Sequence, residues 1–80
     1  MTESVVTLDL HGMNCFQART AITSCLKKSS ASVYQIRLIH GHHGGTALKD
    51  MIDLEFSTHA KVRRCLSPHP GETVLILREL

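Results

Sequence analysis

Leu8-Asp9-Leu10-His11-Gly12 and His40-Gly41 decide how this chain must fold. Each His-Gly closes an apolar, strand-like run, and a helix signal follows shortly after each. Two strands that both stop at His-Gly and both lead into helices predict a βαβ unit with parallel strands. Both histidines then fall at one edge of the sheet. That edge, where carboxyl ends of strands meet amino ends of helices, is where open α/β sheets bind ligands.

From Val5 to His11 apolar and polar residues alternate, with Val6, Leu8 and Leu10 on one face and Thr7, Asp9 and His11 on the other, the period of a half-covered strand. Asn14 is a good N-cap, and Gln17 three residues later completes the pattern of a capping box. Ala18, Ala21, Ile22, Cys25 and Leu26 then share one helical face, and Lys27 and Lys28 suit the negative end of the helix dipole. Ser29 to Ser32 reads as a loop. Val33 to Ile39 reads as the second strand, rich in β-branched and large apolar residues. Thr46 is placed to cap a second helix whose apolar side is Ala47, Leu48, Met51, Ile52 and Phe56. Lys61 to Ser67 reads as a third strand, Pro68-His69-Pro70-Gly71 as a turn, and Thr73 to Leu77 as a covered fourth strand. The predicted fold is α+β, a two-layer sandwich in the order βαβαββ, with two helices on a four-stranded mixed sheet.

Eighty residues, 42% hydrophobic and 20% charged, describe one small globular domain over residues 1–80. No apolar run approaches the roughly 20 residues that cross a bilayer, so no membrane association is expected. Met1-Thr2-Glu3-Ser4 lacks a basic region ahead of an apolar segment, which makes the cytoplasm the expected location. Cys15, Cys25 and Cys65 are odd in number and widely spaced, neither a disulfide framework nor a zinc pair; they read as structural thiols. A net charge of +2 permits nucleic acid as a partner without pointing to it. Two Phe and one Tyr make no aromatic platform for stacking bases.

Two constellations carry chemistry. Asp9 and His11 share a strand face, and a carboxylate beside an imidazole orients the ring and tunes it for proton transfer; a polar strand face would show the same pair. The loop His40-Gly41-His42-His43-Gly44-Gly45-Thr46 combines glycines with a helix start, so backbone N–H groups can hold a phosphate there, with Lys49 one turn on to add a charge. It has neither the Walker A nor the G-x-G-x-x-G spacing. Its three histidines also open a metal reading, in which His40, His42 or His43 converges with Asp9 or His11 on one ion. His59, and His69 in a distant turn, read as solvent-exposed residues without a role.

These residues resemble the small MutS-related (Smr) domain family, whose two signatures are an L-D-x-H-G segment ending the first strand and an H-G-x-G-x-G-like loop after the second. Leu8-Asp9-Leu10-His11-Gly12 matches the first unchanged. Ile39-His40-Gly41 with Gly44-Gly45-Thr46-Ala47-Leu48-Lys49 is similar to the second, with His43 in place of a glycine and one extra residue before the helix. The resemblance spans essentially the whole chain, as a free-standing domain. It implies a fold similar to the C-terminal domain of translation initiation factor 3, and nucleic acid, DNA or RNA, as partner, in some members at the ribosome. It also implies nicking or endonuclease activity, with Asp9 and His11 as the catalytic pair. Nucleic acid would lie on His40, Gly41, His42, His43, Gly44, Gly45, Thr46 and Lys49.

The expectation is therefore a monomeric nucleic-acid-binding domain with endonuclease activity, with no fixed cofactor and a divalent cation (Mg²⁺ or Mn²⁺) as the one candidate. The alternative is a non-catalytic module that binds nucleic acid or a ribosomal surface. A third reading is a small phosphate- or metal-binding domain acting as an oligomerisation partner.

Overall fold

The computed structural model describes residues 4–29, 31–41 and 46–78. The order is β1 (Ser4–Asp9), α1 (Cys15–Lys28), β2 (Val33–Ile39), α2 (Ala47–Glu55), β3 (Arg64–His69) and β4 (Glu72–Ile76). The four strands form one mixed sheet in the order β1-β2-β4-β3: β1 is parallel to β2, and β4 is antiparallel to both β2 and β3. The βαβαββ architecture is the one the sequence predicts.

Strand alternation sorts the side chains between two faces. Ile36, Leu38 and Leu75, together with Leu10 just past β1, point inward and are fully buried. They meet Ala18, Ile22 and Leu26 of α1, Met51 and Ile52 of α2, and Phe56, so both helices cover the same face of the sheet. Burying such side chains is the main favourable term in a domain this small. The other face carries Thr7 beside Arg37, Arg37 beside Val74, and Leu66 beside Val74. Arg37 and Glu72 close an ion pair there at 2.8 Å.

The first helix starts where its sequence says. Asn14 Oδ1 accepts the Gln17 N–H at 2.8 Å, and Gln17 Oε1 accepts the Asn14 N–H at 3.0 Å, a complete capping box. Thr46 does not repeat this at α2. It stands before the helix with no side-chain cap, and its hydroxyl donates instead to Asp50 Oδ2 at 3.0 Å.

The third strand begins later than its apolar pattern suggests. After α2 the chain turns twice, with the His59 N–H on the Phe56 carbonyl and the Val62 N–H on the His59 carbonyl. Val62 is thus buried from a loop rather than from a strand. β3 then runs through Pro68, with a break in register between Leu66 and His69. An edge strand tolerates proline because its outer N–H groups have no partner to lose. The turn therefore shortens to Pro70-Gly71, with Gly71 at φ +83°, the value that the third position of a type II turn requires. Among the described residues no helix is long and apolar enough to cross a membrane.

Candidate functional site at the His-Gly edge

Asp9 is the last residue of β1 and His11 lies two residues beyond it. Asp9 Oδ1 accepts the His11 backbone N–H at 3.0 Å and lies 3.5 Å from His11 Nδ1. One carboxylate thus pins the turn after β1, as aspartates do in Asx turns, and faces the ring that the turn presents. At 3.5 Å the ring contact is an ion-pair distance rather than a close hydrogen bond. The side chains are 77% exposed for His11 and 67% for Asp9, so both are open to a ligand from solvent. With Nδ1 toward the carboxylate, Nε2 is the ring nitrogen turned away from it.

The second His-Gly closes over the first. The Leu10 N–H donates to the Ile39 carbonyl at 2.7 Å, carrying the strand pairing past the end of β1. Gly41 lies against His11: a Cβ placed on Gly41 would stand 3.8 Å from His11 Cβ. Space is not the constraint there. The backbone is at φ +75°, where L side chains are strained and glycine is not.

His40 faces inward. The residue is 8% exposed, with Nε2 at 2.9 Å from Thr73 Oγ1 and Nδ1 at 3.0 Å from the Gly41 carbonyl. A carbonyl can only accept, so Nδ1 carries a proton, and in the neutral ring the Thr73 hydroxyl donates to Nε2. Both ring nitrogens are engaged. His40 therefore shapes the edge by fixing the peptide of Gly41, and its ring does not reach out to a ligand.

The Pro70-Gly71 turn completes the edge. Ile39 pairs with Glu72, which puts the start of β4 beside the end of β2. The Gly71 carbonyl accepts N–H groups from both His40, at 2.9 Å, and Gly41, at 3.0 Å. The turn is thus not distant from the site, as the sequence suggests, but forms one side of it, with His69 exposed beside Glu72. Arg37 holds the Glu72 carboxyl below its usual pKa, chiefly through their hydrogen bond.

Lys49 is occupied within its own helix. Its ammonium donates to Asp53 Oδ2 at 2.7 Å, one turn further from the amino end of α2, and this contact raises its pKa. Asp53 also receives the Cys65 thiol at 3.7 Å, and that thiol is pushed up to about 11, mainly by burial. His42, His43, Gly44 and Gly45 lie outside the described residues. Among the described residues no three His, Cys, Asp or Glu side chains converge as a metal site would need.

The structure adds two residues that the sequence reading passed over. Thr73 is fully buried beneath His40, and its place at the head of the apolar run Val74 to Leu77 was its signal. Phe16, in the first turn of α1 and 71% exposed, presents an aromatic ring near this edge. Its place off the apolar stripe of α1 was the sign that it would face solvent.

The model of the Smr domain family matches residues 8–74 of the chain. No curated protein matches it significantly. Among solved structures, the Smr domain of MutS2 from Thermus thermophilus superposes with a TM-score of 0.81 at 26% sequence identity, covering 92% of this chain and 99% of that one.

Proposed function

The chain belongs to the Smr domain family, and on that footing we propose that it binds nucleic acid at the His-Gly edge and cuts the phosphodiester backbone there. The observation that carries this reading is the Asp9–His11 contact at 3.5 Å, open to solvent beside Gly41. A pair that served only the fold would not need to hold an imidazole outward with one nitrogen free. In the proposed role Asp9 orients His11, and His11 Nε2 takes the proton of the attacking hydroxyl.

On RNA the attacking group is the neighbouring 2′-hydroxyl. Its oxygen bonds to phosphorus, the bond to the 5′-oxygen breaks, and a proton returns to that oxygen. No metal is required. On DNA a water must attack, and a divalent cation would supply the activation. Gly41, with His42, His43, Gly44, Gly45 and Thr46, forms the backbone cradle for the phosphate in this proposal, and the start of α2 adds the favourable end of its dipole. Lys49 can contribute only by leaving Asp53, and His40 contributes by holding Gly41.

A second reading, binding of nucleic acid or a ribosomal surface without cleavage, is favoured by the engagement of Lys49 with Asp53. Cleavage of labelled single-stranded RNA, duplex DNA and supercoiled plasmid separates the two, run with EDTA or with added Mg²⁺ or Mn²⁺. Asp9→Asn and His11→Ala should abolish cleavage while the fold persists. Retained cleavage in both variants refutes the catalytic assignment. Binding without cleavage by the unaltered protein establishes the second reading.

A further inference from the structure

A cavity of about 600 Å³ opens at the other end of the sheet, where β2 begins at Val33 and the chain leaves β4 at Leu77. Lys61, Arg63 and Arg78 line it. Backbone pairing brings the two arginines together: the Arg63 N–H donates to the Ile76 carbonyl at 2.7 Å, and Arg78 follows two residues later. Lys61 Nζ donates to the Leu26 carbonyl at 3.0 Å, which fixes its ammonium at the end of α1. Lys27 and Lys28 occupy the last turn of that same helix.

Among the described residues no acidic side chain lines the cavity. The described acids are engaged elsewhere: Asp53, Glu55 and Glu72 with Lys49, Arg19 and Arg37, and Asp9 with His11. Asp50 accepts from Thr46. Glu3 and Glu79 lie outside the described residues. Among the described residues charge is therefore unevenly placed. The His-Gly edge holds Asp9 and Asp50, with Lys49 already paired, while cations gather at the opposite end. The described cations that line the cavity lie away from Asp9 and His11.

We propose that the basic cavity is a second phosphate-binding site, and that it holds the backbone of the same nucleic acid whose other part reaches Asp9 and His11. The inference rests on the nucleic-acid reading above and adds where the strand is gripped. Guanidinium groups suit the task, since each can give two parallel hydrogen bonds to one phosphate. The seven residues of β2 separate the two sites, about 20 Å at roughly 3.3 Å per residue.

Arg63→Gln/Arg78→Gln tests it, since both side chains are exposed and a thermal melt checks that the fold is kept. Fluorescence anisotropy with a labelled RNA strand of about twelve nucleotides, across roughly 50 to 200 mM KCl, reads the number of phosphates held. Removing two contacts should make the salt slope shallower by about 1.4, equivalent to roughly 25-fold weaker binding at about 0.1 M salt. Titration with inorganic pyrophosphate should also shift the amide signals of Ala31, Ala60 and Leu77 in the unaltered protein and not in the variant. An unchanged slope in the variant, with RNA bound normally by the unaltered protein, overturns this inference and leaves the Asp9–His11 reading standing. No binding of RNA or duplex DNA by the unaltered protein, with the pyrophosphate shifts present, overturns the nucleic-acid reading and this assignment of the cavity's ligand. Displacement of pyrophosphate by polyglutamate and not by RNA marks an acidic protein partner and likewise overturns it.

Discussion

Thr73→Val removes one oxygen from the centre of the molecule and should be felt at its edge. Thr73 is fully buried, and its hydroxyl stands 2.9 Å from His40 Nε2. Valine has nearly the same shape, so no cavity forms and the loss is confined to the hydrogen bond. His40 Nδ1 is committed to the Gly41 carbonyl at 3.0 Å, so the neutral ring cannot shift its proton to help. Nε2 is left as a buried acceptor without a donor, where every buried side-chain nitrogen and oxygen among the described residues has a partner. Such a group costs about 1–3 kcal/mol. A loss of about 2 kcal/mol lowers the unfolding midpoint of a chain this size by roughly 8–16 °C. Urea unfolding measures the free energy, and ¹⁵N resonances of the His40 ring report which nitrogen carries the proton. In a cycle with His40→Leu, the double variant should be less destabilised than the sum of the singles by about 0.5–3 kcal/mol. Thr73→Val within about 0.5 kcal/mol of the unaltered protein, or strict additivity in the cycle, would refute the claim that this bond organises the edge.

Two further perturbations test other parts of the structure. Gly41→Ala places a methyl in ordinary contact with His11 but forces alanine to φ +75°; thermal unfolding should show a cost of about 1–2 kcal/mol, and a stabilised protein would contradict the backbone assignment. Arg37 lowers the Glu72 pKa below its usual 4.5, so their pairing stabilises the fold above that value and is lost as pH falls through the lowered one. Acid unfolding of Glu72→Gln should accordingly depend less on pH below 4.5 than that of the unaltered protein, and identical profiles would show that the pair does not contribute.

The local parts of this protein were legible because local signals are strong. Asn14 and Gln17 mark the start of α1 within four residues, and both reach their partners there. The alternation from Val6 to Leu10 assigns Asp9 to the outer face without reference to any other strand. Where structure and local pattern differ, a neighbour three or four residues away had claimed the group first. Val62 looks like a strand residue, but the turns at Phe56 and His59 delay β3 past it. Thr46 looks like a cap, but Asp50 takes its hydroxyl. Lys49 looks free to serve the loop, but Asp53 lies one turn away on the same helix face.

The sequence by itself determined the order of elements, the outward pairing of Asp9 with His11 and the edge at which both His-Gly steps fall. Periodicity, capping and strand ends are properties of neighbours in the chain. Only the tertiary structure decided that His40 turns inward while His11 turns out, and that the Pro70-Gly71 turn closes the same edge. It also gathered Lys61, Arg63 and Arg78 at the opposite end. Each of these depends on the register of β4 against its neighbours, Ile39 to Glu72 and Arg64 to Ile76. That register is set by which apolar faces bury together, a choice made between segments far apart in the chain and written in none of them alone.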